Sequence, residues 1–179
     1  AYICHKLGIK GDVFLPETTP LQKINRIHYF GKDSINTHTI GKTFNEALSA
    51  SLEFTESHQK TFVHPYDDPE GIDGQATIAY EIALNINPNI IIVPCGGGGL
   101  ISGISQYIKE IYPQTKVIGV EPQAANSLQL AMENKTPTQV PQIDTFVDGA
   151  SVGIIGHHPF EMCQKYVDDV LTVNNGKLC

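Results

Sequence analysis

The sequence predicts an α/β fold with parallel or mixed twisted sheets and flanking helices. Short β-branched runs alternate with longer amphipathic stretches along the whole chain, and repeated strand–helix–strand units of this kind form parallel sheets through right-handed crossovers. The run 89–94 is almost entirely apolar, which is typical of a strand that is buried on both faces of such a sheet. Four consecutive glycines follow this run and precede an amphipathic stretch, so we expect a glycine loop between a strand and a helix.

The first third of the chain predicts a small lobe of alternating helices and strands. Its predicted elements are a helix that ends at Gly8, a strand at 12–15, a helix that is capped by Thr19 and ends at Gly31, a strand at 35–40, a helix that is capped by Thr43, and a short strand at 61–63. The start at Thr43 is the best defined of these boundaries, because Glu46 follows three residues later and completes a capping box.

The remaining residues predict part of a second, larger lobe. Its predicted elements are a helix at about 72–86, the strand at 89–94, a helix at 100–111, a strand at 117–120, helices at 124–133 and 160–166, and a strand at 170–173. Turn-forming residues dominate 64–71. We therefore place the domain boundary there, between a small α/β lobe at 1–66 and part of a large lobe at 67–179.

Composition and charge argue against several classes of protein. The 179 residues are 41% apolar and 17% charged, which indicates a folded chain of one domain or two small ones. Lys and Arg total 12 against 19 Asp and Glu, a net charge of −7, so a general surface for nucleic acid or anionic membranes is not expected. No apolar run approaches the roughly 18 residues that span a membrane, and the N-terminus lacks the pattern of a secretory signal.

The cysteines and the chain ends add two expectations. Cysteines at 4, 95, 163 and 179 show neither a CxxC pair nor zinc-finger spacing, so we predict four free thiols in a cytoplasmic protein. The chain begins without Met in what reads as the second half of a helix, and it stops as a new element starts. We expect both ends to be truncated and the chain to be the middle of a longer one.

The glycines at 96–99 are the strongest functional signal. Glycine loses more conformational entropy on ordering than other residues do, so four in a row indicate a need for bare backbone. At the carboxyl end of a parallel strand and the start of a helix, converging N–H groups and the helix dipole favour an anion. We predict a phosphate site here, and the alternative is a tight turn without a ligand.

Two other nucleotide motifs match this segment less well. The spacing does not fit the GxxxxGK[ST] pattern of P-loop proteins. The dinucleotide pattern GxGxxG has an acidic residue about 20 positions further on, and Glu121 lies near that distance. The uninterrupted glycines are a poor match to that pattern, so neither motif is assigned.

Motifs along the whole chain resemble one enzyme family. They are TTPLQKINR at 18–26, HPYDDP at 64–69, GQATIAYEI at 74–82, VPCGGGGL at 93–100, GVEP at 119–122 and FVDGASV at 146–152. In this order and spacing they resemble the threonine dehydratase (threonine ammonia-lyase) branch of the pyridoxal-phosphate enzymes that have the two-lobed tryptophan-synthase-β fold, fold type II. The resemblance covers essentially all 179 residues and implies an incomplete version of that fold.

The resemblance implies a lyase that deaminates L-threonine to 2-oxobutanoate and ammonia, the first step from threonine to isoleucine. It implies pyridoxal 5'-phosphate as cofactor, with its phosphate held by Gly96, Gly97, Gly98, Gly99 and Leu100. It further implies L-threonine, with L-serine as the alternative substrate, and a homodimer or homotetramer. Two alternatives stay open, namely an enzyme of serine dehydratase or serine racemase type and a non-catalytic α/β module that binds a phosphate ligand.

The chain also departs from this family. None of its lysines stands in an S-x-K-x-R segment, so the Schiff-base lysine is absent, no catalytic residue is assigned, and the fragment alone is expected to be inactive. The S-G-N-H-type loop and the partner of the pyridine nitrogen are missing as well. Some relatives bind a cation through the Glu of V-E-P and a later acid. Here Glu121 is followed by Ser127 at the later position, and no metal is assigned.

Several other polar residues receive interpretations. Asp148–Gly149 either lies near the cofactor, as the resemblance implies, or forms a turn bonded to its own backbone. His64 is interpreted as closing a turn rather than as a general base, and His157–His158 as a solvated loop pair near a helix start. Cys95 is interpreted as a small buried residue rather than as a nucleophile. The acids at 67, 68 and 70 are interpreted as a helix-capping turn rather than as a cation site.

Overall fold

A computed structural model describes residues 1–178 of the chain. These residues form two compact units, one of residues 1–62 and one that begins at Val63. Each unit contains a parallel sheet with flanking helices, so the predicted α/β class is confirmed. Cys4, Cys95 and Cys163 are free thiols, whereas Cys179 lies outside the described residues.

The first unit contains a two-stranded parallel sheet. Its elements are α1 (Tyr2–Leu7), β1 (Gly11–Leu15), α2 (Leu21–Gly31), β2 (Ile35–Thr39) and α3 (Phe44–Ser57). The predicted capping box starts α3: the Glu46 N–H donates to Thr43 Oγ1 at 3.3 Å, and the Thr43 N–H donates to the Glu46 carboxylate at 2.9 Å. This reciprocal pairing satisfies N–H groups that the first turn of a helix leaves without partners.

Asp12 connects β1 to its surroundings in the first unit. Its carboxylate accepts hydrogen bonds from Asn36 Nδ2 at 3.3 Å and His38 Nε2 at 2.8 Å, and it also pairs with the ammonium group of Lys60. Hydrogen bonds from Lys60 and then from His38 lower the pKa of Asp12 to about 2. The charged form of Asp12 is therefore part of what holds β1, β2 and the end of α3 together.

The second unit contains a three-stranded parallel sheet in the order β3-β4-β5. Its elements are α4 (Pro69–Ala83), β3 (Ile90–Pro94), α5 (Gly99–Ile111), β4 (Lys116–Pro122), α6 (Ser127–Asn134), α7 (His157–Tyr166), β5 (Asp169–Val173) and α8 (Asn175–Leu178). Ile101, Ile104 and Ile108 of α5 are buried in the main core cluster, together with Val93 and Val117 of the sheet. Because the three strands are parallel and in register, their carboxyl ends lie at one edge, and the glycine loop begins there.

Three sequence expectations are wrong in detail. Residues 61–63 form no strand, because the sheets of the described chain offer them no partner. β3 is not buried on both faces: only Val93 is buried. Ile90 and Ile92 lie on the same face of the strand and are 54% and 66% exposed, because the described chain does not cover that face. Thr19 does not cap α2, because its N–H closes a turn on the Pro16 carbonyl at 3.0 Å and Pro20 takes the N-cap position.

The helix predicted at 72–86 starts three residues earlier than expected. Asp68 is the N-cap of α4, and its carboxylate accepts the N–H groups of Glu70 at 2.9 Å and Gly71 at 3.2 Å. Pro69 then occupies the first helical position, where a missing N–H costs nothing. No helix within residues 1–178 is both long and apolar enough to cross a membrane.

Candidate functional site

The glycines form the connection from β3 to α5, as the sequence predicts. The Cys95 N–H donates to the Val120 carbonyl at 2.8 Å, so the loop leaves an ordered strand end. Gly98 is the N-cap of α5 and has φ 92° and ψ −9°, a left-handed conformation that side chains rarely permit. Gly99 is the first residue of the helix. The predicted order of strand, glycine loop and helix is confirmed.

Neighbouring segments leave no room for side chains on this loop. A Cβ atom on Gly97 would lie 2.2 Å from Cγ of Tyr66, and one on Gly99 would lie 2.9 Å from the Tyr66 carbonyl oxygen. On the other side of the loop, a Cβ atom on Gly98 would lie 2.7 Å from Cβ of Pro159. The glycines therefore allow two flanking segments to approach the backbone of the loop.

The carbonyl groups of the loop are bonded within the protein. The Gly96 carbonyl accepts the Ser127 hydroxyl at 3.2 Å, and the Gly97 carbonyl accepts the Gly156 N–H at 3.2 Å. The Gly98 carbonyl accepts both the N–H of Ser102 at 3.0 Å and its hydroxyl at 2.8 Å. These bonds fix the orientation of three successive peptide groups.

The amide groups of the same loop are available to a ligand. Among residues 1–178, no protein acceptor receives the N–H groups of Gly96, Gly97, Gly98, Gly99 or Leu100. The first turn of a helix leaves its N–H groups without intrahelical partners, and its dipole favours a negative charge there. Five donors at the start of the 13-residue helix α5 form the kind of cradle that binds phosphate.

A cavity of about 350 Å³ opens beside these amides. The glycine loop forms one wall, and the other lining residues are Pro65, Tyr66, Gly71, Gln75, Pro94, Gly149, Ala150 and Val152. The structure thus brings Gly149 of the predicted Asp148–Gly149 segment next to the glycines. No Lys, Arg or His occurs among the lining residues of the described chain, so backbone dipoles provide the positive potential.

Sequence reasoning missed Tyr66, Ala150 and Val152 as neighbours of the glycines. Tyr66 belongs to the HPYDDP motif and Val152 to the FVDGASV motif, so the motifs were the available signal. Their position beside the loop depends on tertiary packing, because 30 or more residues separate them from it in the chain. A Cβ atom on Gly96 would lie 3.2 Å from Cα of Ala150 and 3.3 Å from the Val152 side chain.

The histidine and acidic residues of the second unit have structural roles. His64 closes a turn, as predicted, because its Nδ1 accepts the Asp67 N–H at 2.8 Å, and burial lowers its pKa. His157 and His158 are solvated and lie at a helix start, as predicted, but they belong to the helix rather than to a loop. Both residues begin α7 and donate N–H groups to the Asp67 carboxylate at 2.9 and 3.0 Å.

Glu121 lies buried at the end of β4, behind the glycine loop. Its carboxylate accepts the N–H groups of Leu128 at 2.7 Å and Gln129 at 2.9 Å, and the Ser127 hydroxyl at 3.4 Å. Burial raises the pKa of Glu121 to about 6 against these hydrogen bonds. The carboxylate thus binds the N-terminus of α6. The described residues contain no group of three or more His, Cys, Asp or Glu side chains that could hold a metal ion.

Cys95 is buried, as its interpretation from the sequence required. Burial, followed by the nearby charge of Glu121, raises the pKa of its thiol well above the usual range. Because the thiolate is the reactive form of cysteine, this environment makes Cys95 a poor nucleophile.

Comparison with known proteins gives matches over the whole chain. The family model described as "Pyridoxal-phosphate dependent enzyme" matches residues 1–179. The chain is 42% identical over 181 residues to the protein named "L-threonine dehydratase biosynthetic IlvA" of Halalkalibacterium halodurans, covering 100% of this chain and 44% of that protein. The protein of the same name from Bacillus subtilis is 41% identical over 181 residues, with 100% and 43% covered. The chain therefore spans less than half the length of these relatives.

Solved structures give the same fold. The processed form of threonine deaminase isoform 2 from Solanum lycopersicum has a TM-score of 0.86 and 37% identity, over 95% of this chain and 49% of that chain. Maize serine racemase has a TM-score of 0.90 and 24% identity, over 98% and 52%, and this likeness shows the fold alone. The fold predicted from the sequence is confirmed.

Proposed function

Because the chain belongs to the family of pyridoxal-phosphate-dependent enzymes, we propose that it is the phosphate-binding part of an L-threonine ammonia-lyase. This enzyme converts L-threonine to 2-oxobutanoate and ammonia in the synthesis of isoleucine. The observation that carries the proposal is the row of five amide groups at 96–100 that lack protein acceptors. The substrate is proposed from the relatives, two of which are named biosynthetic L-threonine dehydratases.

The residues of the loop fit the phosphate of this cofactor. A phosphate monoester carries a charge of roughly −1.5 to −2 near pH 7 and offers three strong acceptor oxygens. The N–H groups of Gly96 to Leu100 are donors for such oxygens, and the N-terminal dipole of α5 attracts the charge. The cavity of about 350 Å³ is within the range of roughly 300–1,000 Å³ for sites that hold small molecules.

The part of this chain in the reaction is to position the cofactor. When bound, pyridoxal phosphate supplies the electron sink that makes the Cα proton and the β-hydroxyl of an amino acid easier to lose. Gly96–Leu100 hold the phosphate end, and the bonds to their carbonyl groups keep the N–H groups oriented before the cofactor arrives. Preorganised donors of this kind save the free energy of ordering the site during binding.

Further elements of the proposal come from the family resemblance. No lysine lines the cavity in the described chain, and we place the Schiff-base lysine outside these 179 residues. The chain then contributes residues 1–66 to a small lobe and 67–179 to a large one. We place the enzyme in the cytoplasm as a homodimer or homotetramer, without a metal in this part of the chain.

The test uses the intact protein that contains this chain. We expect the absorbance band of bound pyridoxal phosphate and the formation of 2-oxobutanoate from L-threonine, faster than that of pyruvate from L-serine. Pyridoxal, which lacks the phosphate, should bind at least about 100-fold more weakly, a difference of about 2.7 kcal/mol. Equal binding of the two compounds would refute the phosphate site, and a protein that prefers L-serine would refute the assigned substrate.

A further inference from the structure

Asp67 connects two segments that are distant in the chain. Its Oδ2 accepts the N–H of His157, which lies 90 positions later in the chain, at 2.9 Å. Its Oδ1 accepts both the N–H and the ring Nδ1–H of His158 at 3.0 Å. These are the first two residues of α7. The N-cap residue of this helix is Gly156, which has no side chain to accept the N–H groups of the first turn. Asp67 therefore supplies the acceptors that the first turn of α7 lacks.

The carboxylate of Asp67 is held in its charged form. Burial acts to raise its pKa, but the N–H of His157 and the side chain and N–H of His158 lower the pKa to below the ordinary value. Its immediate surroundings are the N-terminus of α7 and the imidazole of His158, which both favour a negative charge.

The two connected segments are the ones that flank the glycine loop. On one side, Tyr66 precedes Asp67 and packs its ring against Gly97. On the other side, the N–H of Gly156 donates to the Gly97 carbonyl at 3.2 Å, and Pro159 packs against Gly98. Asp67 thus closes a ring of contacts around the backbone whose N–H groups are available to a ligand.

Gly156 shows how closely Asp67 approaches α7. A Cβ atom at Gly156 would lie 2.7 Å from Cγ of Asp67 and 2.9 Å from Cδ of Pro159. The backbone of Gly156 has φ −64° and ψ 156°, which any residue can adopt. Contact with Asp67 and Pro159, rather than backbone conformation, is therefore the reason for glycine at this position.

We propose that Asp67 is a positioning residue for the cofactor phosphate. By capping α7, Asp67 holds Tyr66 on one side and the start of α7, from Gly156 to Pro159, on the other side against the glycine loop. The N–H groups of that loop then stay directed to the phosphate. It also occupies the N-terminus of α7 with a carboxylate of the protein, which leaves the N-terminus of α5 as the place for the bound anion. This inference rests on the proposed function, because it assumes that the loop binds pyridoxal phosphate.

The experiment compares two helix caps that are adjacent in the sequence. Asp67→Ala removes the cap of α7, and the matched control Asp68→Ala removes the cap of α4, whose acceptor bonds are to Glu70 and Gly71. In the intact protein we measure the dissociation constant of pyridoxal phosphate, the ³¹P resonance of the bound phosphate and the midpoint of thermal unfolding. We expect Asp67→Ala to bind pyridoxal phosphate about tenfold more weakly than wild type and to show a shifted ³¹P resonance. We expect Asp68→Ala to bind the cofactor within about twofold of wild type, although its unfolding midpoint falls by a similar amount to that of Asp67→Ala.

A second variant addresses the case in which Asp67→Ala does not fold. Gly156→Ala keeps the carboxylate but pushes it away from α7, so it should weaken cofactor binding in the same direction. Asp67→Asn keeps one acceptor oxygen and should recover part of the affinity.

The outcomes distinguish a failure of the proposed function from a failure of the positioning role of Asp67 alone. If wild type does not bind pyridoxal phosphate, the proposed function fails and this inference fails with it. If wild type binds and Asp67→Ala binds equally well, or if Asp67→Ala and Asp68→Ala weaken binding to the same extent, only the positioning role is overturned.

Discussion

The ring of Tyr66 occupies the space in which a side chain on Gly97 would begin, because a Cβ atom on Gly97 would lie 2.2 Å from Tyr66 Cγ. The Tyr66 ring also meets the His64 ring edge-on at a centroid distance of 4.6 Å. Burial raises the pKa of the Tyr66 hydroxyl, as expected for a ring that is packed rather than solvated. The path of the glycine loop therefore depends on an aromatic residue that precedes it by about 30 positions.

Gly97→Ala is expected to weaken binding of pyridoxal phosphate by the intact protein. The methyl group meets the Tyr66 ring, and relief of such overpacking moves the backbone at a cost of typically about 1–3 kcal/mol. A loss of that size in binding corresponds to a dissociation constant that rises about 5- to 150-fold. Titration of the apoenzyme with cofactor, followed by absorbance, measures the change.

The double variant Tyr66→Ala/Gly97→Ala identifies the cause of that loss. If the ring is what the methyl group meets, the double variant should lose less than the sum of the two single losses. Gly74→Ala is the control, because nothing lies within 4 Å of a Cβ atom at that position. Wild-type affinity in Gly97→Ala would contradict the prediction.

Gly103→Ala should lower the free energy of unfolding by forcing two packed helices apart. A Cβ atom at Gly103 would lie 2.4 Å from the Ile72 carbonyl oxygen and 2.7 Å from the Ala76 nitrogen, so α4 and α5 would have to separate. We expect a loss of about 1–3 kcal/mol, measured by urea unfolding. Gly74 lies in α4, and a Cβ atom there would meet nothing within 4 Å, so Gly74→Ala should instead raise the free energy of unfolding by up to about 1 kcal/mol. Equal stability of the two variants would show that the helices are not in contact at Gly103.

The sequence predicted the local features well. The Thr43–Glu46 box, the strand before the glycines and the helix after them are determined within a few residues, so helix capping and hydrophobic pattern were sufficient. The strand predicted at 61–63 does not form, because a β-branched run becomes a strand only if a second strand pairs with it. The exposure of Ile92 was likewise not predictable, since the burial of a strand residue depends on whether another element packs over its face of the sheet.

Long-range relationships at the candidate site were beyond the sequence pattern. His157–His158 gave no sign that their N–H groups bind Asp67, because an acceptor 90 residues away leaves no local signal. The HPYDDP motif indicated that residues 64–69 matter to the family but not which side chains approach the glycines. Within that motif, Asp68 caps its own helix and was predictable from the following Pro69, whereas Asp67 caps a distant helix and was not.

Glu121→Gln should change how stability depends on pH. Burial raises the pKa of Glu121 from 4.5 to about 6 in the folded protein, so the folded state takes up the proton more readily than the unfolded state. The free energy of unfolding of wild type should therefore rise relative to that of the variant as pH falls from 7 through 6 to about 4.5. The shift corresponds to a relative gain of about 2 kcal/mol at most. Urea unfolding at several pH values measures this, and parallel curves for the two proteins would contradict it.

Lys60→Met should raise the pKa of Asp12 from about 2 toward its ordinary value of 3.8, because the hydrogen bond from Lys60 is the largest cause of the lowered value. Since this pKa lies below that of the unfolded chain, the stability that Asp12 contributes is present above about pH 4 and is lost as pH falls toward 2. The variant should therefore lose less stability than wild type over that range. Titration of the Asp12 carboxyl carbon by NMR measures the pKa directly. Lys42→Met is the control, because the Asp12 carboxylate receives no hydrogen bond from Lys42. An unchanged Asp12 pKa in Lys60→Met would assign the shift to His38 instead.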